Sequence, residues 1–350
     1  MKKLEGIDIF EKILKAPGVA GYEEPVREKI QELIKDYVKV NDPENIEEDN
    51  IGNLIYELEN PGPELALVAH MDEIGMVVSN VEEDGYLRIK KIGGVLDPLL
   101  AGRHVKIHTD GGPINGVIGH RPPHLTTEKD DKDEIVPWTK THVDVGAESA
   151  EEVKEMGIDV PDPITFDKRL RRLNGEVVSG RGLDNRIGSF ALLDVLKNLK
   201  DVELDVDLST IWSVQEEIGL RGAKVVANTR NPEYVIALDT YTTSDAPGVE
   251  KFYKPIKFGE GPVLRMVDTR AISSPKLVDH FKDAAEDAGV PYQYGVTGGT
   301  TDGMALQESG CLTLSIGVPV KYSHSTVECA DWRDVRNLIE LITEGIQKLP

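Results

Sequence analysis

Cysteine is nearly absent from this chain. Only Cys311 and Cys329 occur among its 350 residues, and they form no CxxC pair. Two cysteines are too few for a disulfide framework, which excludes the small secreted scaffolds that depend on one. We therefore expect both thiols to be reduced and the protein to be cytoplasmic.

Positive charge is also scarce. The chain carries 40 lysines and arginines against 62 aspartates and glutamates, which gives a formal net charge of -22 and an isoelectric point near 4.8. Binding to nucleic acid needs clustered Lys and Arg that meet the phosphates, so we expect no nucleic-acid partner. An acidic composition of this kind is typical of a soluble protein whose copies repel one another.

Long hydrophobic runs are missing as well. No stretch approaches the roughly 18 consecutive apolar residues of a membrane-spanning helix. The basic residues of Met1–Lys3 are followed by Glu5 and Asp8 instead of an apolar segment. We expect neither a signal peptide nor a membrane partner.

The chain does contain an α/β pattern that is interrupted by a β-rich segment. Apolar residues at helical spacing or in short continuous runs predict helices over 23–37, 187–199, 275–288 and 332–349, with strands over 65–69, 208–214, 234–238 and 312–316. From about Met76 to Leu173, short alternating strands separated by glycine turns are typical of a small β-barrel or sandwich. We predict an α/β domain formed by residues 1–72 and 168–350, with a β-rich domain inserted at residues 73–167.

The segment Ser213–Gly219 is the most informative stretch of the sequence. Glu216 and Glu217 follow a strongly apolar strand, Leu208–Val214, and are followed by Ile218 and Gly219. Carboxylates at the edge of a core are costly unless a cation meets them. Neighbouring side chains on extended backbone point to opposite sides, so one glutamate can bind a metal while the other handles a proton.

Other polar residues stand where predicted strands or glycine-rich turns end. They are His70 and Asp72 after the first buried strand, Asp184 in the turn Gly180–Arg186, Asp239 at the end of another strand, and His324 in Tyr322–Ser325. Ligands of open α/β sheets gather outside the carboxyl ends of the strands. Two imidazoles and three carboxylates suit zinc, cobalt or manganese, and a shared carboxylate would let two metals lie roughly 3.5 Å apart.

Each of these residues also has an ordinary structural interpretation. Asp184 suits the N-terminal cap of the helix that follows it, Asp239 suits a turn at a strand end, and a histidine after a strand is often an ordinary core or surface residue. Five candidate ligands at the ends of apolar elements are harder to explain in this way. Their combination favours a metal site.

The same segments resemble the motifs of the M42 aminopeptidases, the TET-type members of the co-catalytic metallopeptidases. The resemblance rests on the segments 69–75, 182–186, 215–219, 237–239 and 322–325, which occur in the family's order over nearly the whole chain. It implies a three-layer, mixed-sheet metallopeptidase domain that carries an inserted PDZ-like dimerisation domain. It also implies a homo-oligomer, in this family usually a tetrahedral dodecamer built from dimers.

The resemblance further implies roles for individual residues. Asp184 matches the bridging carboxylate of a two-metal site, which His70 and Asp239 complete on one side and Glu217 and His324 on the other. Glu216 matches the general base, and Asp72 matches the carboxylate that orients His70. The loop Thr297–Asp302 resembles the family's glycine-rich loop near the substrate. His120 and His124 resemble residues of a loop in the inserted domain, and we do not expect them to bind metal.

The function implied is a metal-dependent aminopeptidase acting on short peptides, with two zinc or cobalt ions, or manganese, per chain. Attack by metal-activated water, with Glu216 as general base, would release N-terminal residues, and neutral aliphatic ones such as leucine are the first expectation. A co-catalytic carboxypeptidase or deacylase fits the ligands nearly as well, with Arg186 or Lys321 to hold a carboxylate. A glycosidase would also use two carboxylates but would leave both histidines idle. An inactive shell protein is disfavoured because every motif position is occupied.

Overall fold

The computed structural model describes residues 4–120, 124, 135–249 and 255–349. The α-helices in these ranges are α1 (Ile7–Lys15), α2 (Glu24–Leu33), α3 (Ala150–Glu155), α4 (Leu183–Leu199), α5 (Arg221–Thr229), α6 (Pro275–Ala288), α7 (Asp302–Gln307) and α8 (Trp332–Gln347). The predicted long helices are all present, and the one expected over 23–37 passes from α-helix to a short π-helical turn, Ile34–Val38. No helix in the described ranges combines the length and the apolar character needed to cross a bilayer.

The strands form one large sheet and one barrel. They are β1 (Ile46–Glu48), β2 (Leu54–Leu58), β3 (Glu64–His70), β4 (Gly75–Val81), β5 (Leu87–Ile92), β6 (His104–Thr109), β7 (Gly112–Ile118), β8 (His142–Asp144), β9 (Pro163–Phe166), β10 (Arg171–Arg172), β11 (Val177–Gly180), β12 (Asp207–Ser213), β13 (Tyr234–Thr242), β14 (Val263–Val267), β15 (Gln293–Val296), β16 (Leu312–Lys321) and β17 (Glu328–Asp331). The large sheet follows the order β1-β2-β12-β3-β13-β16-β17-β11-β10, and β14 joins it by pairing with β15 and β16.

The centre of the large sheet is parallel. Strands β12, β3, β13 and β16 run side by side in the same direction, and the outer pairs are antiparallel, so the sheet is mixed. Ser213 lies opposite His70, and Asp239 lies opposite Gly317. Because parallel strands end at the same edge, the residues at the carboxyl ends of β3, β12, β13 and β16 are brought together there.

Side chains alternate between two hydrophobic layers, one on each face of this sheet. Leu65 and Leu67 of β3 belong to the larger cluster, which also contains buried residues of α1, α2, α4, α6 and α8. Ala66 and Val68 belong to a smaller cluster on the opposite face, with Val226 of α5 and Leu306 of α7. Apolar residues on both sides of β3 explain the continuous run that marks it in the sequence. The sheet is therefore the middle of three layers.

The β-rich segment forms a closed barrel of six antiparallel strands in the order β4-β5-β8-β7-β6-β9. Its own core contains Met76, Leu87, Ile107, Val143 and Ile164, all nearly inaccessible to solvent. Closure removes the exposed edges that an open sheet of these strands would have. The expectation of an α/β fold with a small additional β-structure is confirmed, and the β-structure is a barrel.

Candidate metal centre

The predicted ligands lie at the carboxyl edge of the parallel strands. His70 is the last residue of β3, Asp239 lies in β13, and Glu217 follows β12. His324 comes shortly after β16. Asp184 lies at the start of α4, where the backbone is still non-helical and the Asp184–Asn185 peptide bond is cis. All five side chains face a single cavity of about 680 Å³.

Three of these residues form a compact group around one point. Nε2 of His70 lies 3.6 Å from Oδ1 of Asp184 and 3.8 Å from Oδ1 of Asp239. Two ligands held about 2.0–2.1 Å from a zinc ion at tetrahedral to trigonal angles would lie roughly 3.4–3.6 Å apart. The observed spacings are close to this, so the group can hold a metal ion after small adjustments.

Asp184 also takes part in a second group through its other oxygen. Nε2 of His324 lies 3.6 Å from Oδ2 of Asp184 and 3.6 Å from Oε2 of Glu217. One carboxylate thus presents Oδ1 to the first group and Oδ2 to the second, which is the arrangement that a bridging ligand requires. The structure brings all five predicted ligands together in two groups that share Asp184.

Glu216 and Asp72 lie beside these groups without joining either. Oε2 of Glu216 is 3.9 Å from Nε2 of His70 and faces the cavity. Asp72 is fully buried, and its Oδ1 lies 3.3 Å from Nδ1 of His70. The two carboxylates therefore stand in different positions, with Glu216 toward the cavity and Asp72 behind the imidazole.

Negative charge is concentrated here in a buried place. Burial, together with nearby carboxylates such as Asp239, raises the pKa of Glu216 well above its ordinary value. Burial and the charge of Asp184 raise the pKa of Asp239 to about 7 and shift the pKa of Glu217 in the same direction. Although burial opposes it, the surrounding carboxylates hold the pKa of His70 well above its ordinary value. A divalent cation would relieve the repulsion that these shifts express.

Unusual backbone conformations surround the site. The described non-glycine residues with positive φ are Lys39, Gln215, Leu220, Tyr322 and His324. All but Lys39 lie in the two loops that carry Glu216, Glu217 and His324. Left-handed conformations cost free energy for residues with a Cβ, and they persist where surrounding contacts enforce them. Contacts with the surrounding structure, and not local preference, therefore hold both loops.

The barrel reaches the same site. The loop after β5 places Leu96, with about half of its surface exposed, in the wall of the cavity. Gly94 lies against His324, because a Cβ at this position would stand only 2.7 Å from Nδ1 of the imidazole. A glycine at position 94 is what allows the barrel loop to approach the histidine.

Sequence reasoning missed a cation in the cavity wall. Arg265 of β14 lines the cavity and is nearly fully buried. It donates to the carbonyl of Thr240 at 2.8 Å and lies 3.9 Å from Asp268, and its Nε has no hydrogen-bond partner among the described residues. Asp268 is outside the cavity lining. The only sign of this cation in the sequence is that an arginine interrupts an otherwise apolar segment, Val263–Val267.

The other predicted residues lie as follows. Residues Thr297–Thr300 of the glycine-rich loop line the cavity. Arg186 is buried behind the site, 3.3 Å from Glu73, and Lys321 lies 3.3 Å from Asp245; neither lines the cavity. His120 and His124 are exposed and take part in neither ligand group.

Comparison with known proteins places the chain among peptidases. The family model for M42 glutamyl aminopeptidases matches residues 52–341. A lysyl aminopeptidase of Pyrococcus furiosus is 34% identical over 98% of this chain and 97% of its own length. A glutamyl aminopeptidase of Lactococcus lactis is 33% identical over 91% of this chain and 90% of its own length.

A solved structure shows the same fold. The TET1 peptidase of Pyrococcus horikoshii, described as able to assemble into a tetrahedron or a large octahedral shell, superposes with a TM-score of 0.89 at 41% identity. The match covers 98% of this chain and 99% of that one, so it includes both the barrel and the large sheet with the helices on its two faces.

Proposed function

Because the chain belongs to the M42 family of peptidases, we propose that it is an aminopeptidase that uses two divalent metal ions to remove N-terminal residues from short peptides. The observation that carries this proposal is the position of Asp184, whose two carboxylate oxygens face two separate ligand groups. Each group offers nitrogen and oxygen donors in the mixture that zinc and cobalt accept, and manganese is a further candidate. Two such ions, when bound, would lower the pKa of a shared water and polarise the peptide carbonyl.

The protein's own residues divide the remaining work. Glu216 faces the cavity outside both ligand groups, so its carboxylate is free to accept a proton from the attacking water and return it to the leaving amine. Burial of the Glu216 carboxylate raises its pKa above the ordinary value, which is the direction that a proton acceptor needs. Asp72 fixes the ring of His70 from behind, which keeps Nε2 directed at the ligand group.

The crowding of carboxylates explains why the enzyme would act at the amino terminus. The free α-amino group of a peptide can hydrogen-bond to a carboxylate of the site or coordinate a metal after deprotonation. An acetylated terminus offers no positive charge and adds bulk. The site therefore selects a free N-terminus.

The cation in the cavity wall indicates which N-terminal residue is preferred. Two divalent ions would offset the charges of the ligand carboxylates, so Arg265 remains as the charge that a substrate side chain meets. Thr300 also lines the cavity, and its buried hydroxyl has no partner among the described residues. A guanidinium in the cavity wall suits a carboxylate. We expect the enzyme to prefer an N-terminal glutamate or aspartate over lysine. We also expect it to prefer them over the neutral aliphatic residues that the sequence analysis favoured.

Assembly into a larger particle belongs to the same proposal. Copies with a net charge of -22 repel one another, so a specific interface must hold them together. The inserted domain, residues 73–167, serves as a PDZ-like dimerisation module on the catalytic domain of residues 1–72 and 168–350. The dimers then assemble into a tetrahedral dodecamer, in keeping with the tetrahedral assembly described for the TET1 peptidase.

Two other functions meet specific obstacles. A glycosidase needs two carboxyl groups about 5–10 Å apart across a sugar. Here Glu217 and Asp184 each place a carboxylate oxygen 3.6 Å from Nε2 of the same histidine, His324. A carboxypeptidase needs a cation for the substrate's terminal carboxylate. Neither Arg186 nor Lys321 lines the cavity, although Arg265 would be suitable. The end from which residues are released therefore has to be measured.

The test is removal and return of metal. Chelation should abolish hydrolysis of glutamyl, leucyl and lysyl p-nitroanilides, and zinc, cobalt or manganese should restore it, with the glutamyl substrate cleaved fastest. A soluble cellulose substrate is the control and should not be cleaved. Full activity after complete removal of metal would contradict the proposal.

A further inference from the structure

A buried glutamate, Glu328, connects the loop that carries Asp184 with the loop that carries His324. Glu328 is the first residue of β17 and is 1% exposed. In the β11–β17 ladder it lies opposite Gly180, four residues before Asp184. Sequence patterns give no reason to single it out, because one glutamate after a polar loop is common.

Each oxygen of this carboxylate holds a different loop. Oε1 accepts the backbone N–H of His324 at 2.8 Å. Oε2 accepts the backbone N–H of Leu183 at 2.7 Å and, at a longer 3.4 Å, that of Asp184. One side chain thus fixes the backbone of two proposed metal ligands that come from distant parts of the sequence.

The loop after β16 needs such support. Tyr322 and His324 both have a φ of 60°, a left-handed conformation that residues with a Cβ adopt only when contacts enforce it. The side chain of His324 is 39% exposed, so packing alone holds its imidazole weakly. The bond from its N–H to Glu328 ties this backbone to the buried sheet, and the hydroxyl of the neighbouring Ser323 donates to Oδ2 of Asp184 at 3.1 Å.

Glu328 is not itself a ligand in this arrangement. Both of its oxygens are occupied by N–H donors, and it belongs to neither of the ligand groups found among the described residues. Its influence on the site must pass through Asp184 and His324.

We propose that Glu328 is a positioning residue that sets the spacing between Asp184 and His324 and so determines the affinity of the second metal position. The proposal rests on the proposed two-metal function. Outer partners of metal ligands typically change metal affinity about 10- to 100-fold when they are replaced.

The substitution Glu328→Gln tests this directly. An amide has one acceptor oxygen and one NH₂ group. In either orientation the NH₂ group faces the backbone N–H of one of the two loops and cannot accept a hydrogen bond from it. The variant should retain one metal per chain after dialysis and bind the second about 10- to 100-fold more weakly. Its kcat should fall at low metal concentration and recover when zinc or cobalt is raised, with KM little changed.

A matched control separates positioning from folding. Asp334 is also fully buried and accepts the backbone N–H groups of Gly259 and Gly261 at 2.8 and 2.9 Å, away from the cavity. Asp334→Asn should lower the melting temperature and leave metal affinity unchanged. Glu328→Asp is a second variant, whose shorter carboxylate reaches only one loop and should also lose the second metal.

The outcomes are distinct. If the wild-type protein binds two metals and the folded Glu328→Gln variant binds them with equal affinity, the positioning role alone is overturned. Wild-type protein that binds no metal would overturn the proposed function as well. If both Glu328 variants fail to fold while Asp334→Asn folds, Glu328 is a folding residue and the proposal is wrong.

Discussion

Oδ2 of Asp72 accepts the backbone N–H of Glu217 at 3.1 Å. Its Oδ1 accepts the N–H of Glu216 at 3.0 Å and lies 3.3 Å from the ring of His70. A single buried carboxylate therefore holds the turn that carries both glutamates and lies against the imidazole of His70. This explains how two adjacent residues of the same type can keep different positions, one in a ligand group and one outside both groups.

The two glutamates should respond differently to the same substitution. Glu216→Gln preserves shape but removes the proton acceptor, so kcat should fall about 10²- to 10⁴-fold with both metals retained. Glu217→Gln should release one metal, because the amide is a weaker ligand than the carboxylate. Steady-state kinetics together with metal analysis separates the two effects. Near-normal turnover in Glu216→Gln would show that its assignment as the base is wrong.

Substrate preference should depend on Arg265. A charge-assisted bond to a buried partner contributes about 1.5–3 kcal/mol, so Arg265→Gln should lower kcat/KM for a glutamyl substrate roughly 10- to 100-fold relative to a leucyl one. Lys321→Gln removes a cation that lies outside the cavity and should change neither value. Equal losses for the glutamyl and leucyl substrates in Arg265→Gln would assign Arg265 to structure instead of specificity.

The barrel can be removed at a favourable point. Met76 of β4 pairs with Ile164 of β9, so a short glycine-serine linker can replace residues 77–163. This deletion retains Glu73, whose carboxylate lies 3.5 Å from Arg181 and 3.3 Å from Arg186 in the buried core. If the barrel forms the dimer contact, light scattering should show smaller particles than the wild type. If the particles become lighter only by the mass of the deleted residues, the main contacts between copies lie in the sheet domain.

A histidine in the barrel should make stability sensitive to acid. Burial, with the positive charge of Lys168, lowers the pKa of His108 to about 4, and its Nε2 lies 2.8 Å from Oγ1 of Thr165. Because folding favours the neutral ring, its contribution is fully present above the unfolded pKa of about 6.5 and is lost as pH falls toward 4.

The substitution His108→Gln isolates this effect, because glutamine keeps hydrogen-bonding groups but does not titrate. The wild-type melting temperature should fall more steeply between pH 7 and pH 4.5 than that of the variant. His104→Gln, at an exposed position of the same strand, is the control and should follow the wild type. Identical slopes for wild type and His108→Gln would contradict the assignment.

The sequence predicted the central strands and the polar residues at their ends. Leu65–Ala69 and Tyr234–Leu238 are continuous apolar runs because both faces of the sheet are covered, and such runs are readable without a structure. His70 and Asp239 stand out because they end these runs. The positions of these two candidate ligands were therefore predictable, whereas the distances among the candidates depend on the parallel register.

Other parts of the site depend on contacts that no local pattern records. Arg265 enters the cavity wall because β14 pairs with β16, and Gly94 reaches His324 because the barrel packs beside the sheet. Glu328 reaches the backbone of Leu183 because β17 lies beside β11. In each case, tertiary pairing between distant segments gives an ordinary residue its position.

The central claim, that the enzyme removes residues from a free amino terminus, is tested most directly by comparing Glu-Gly-Gly with N-acetyl-Glu-Gly-Gly. Both peptides are incubated with the cobalt- or zinc-loaded protein, and the products are identified by mass spectrometry. We expect glutamate and Gly-Gly from the free peptide and no cleavage of the acetylated one. Equal cleavage of both peptides, or release of glycine from the carboxyl end, would contradict the aminopeptidase assignment.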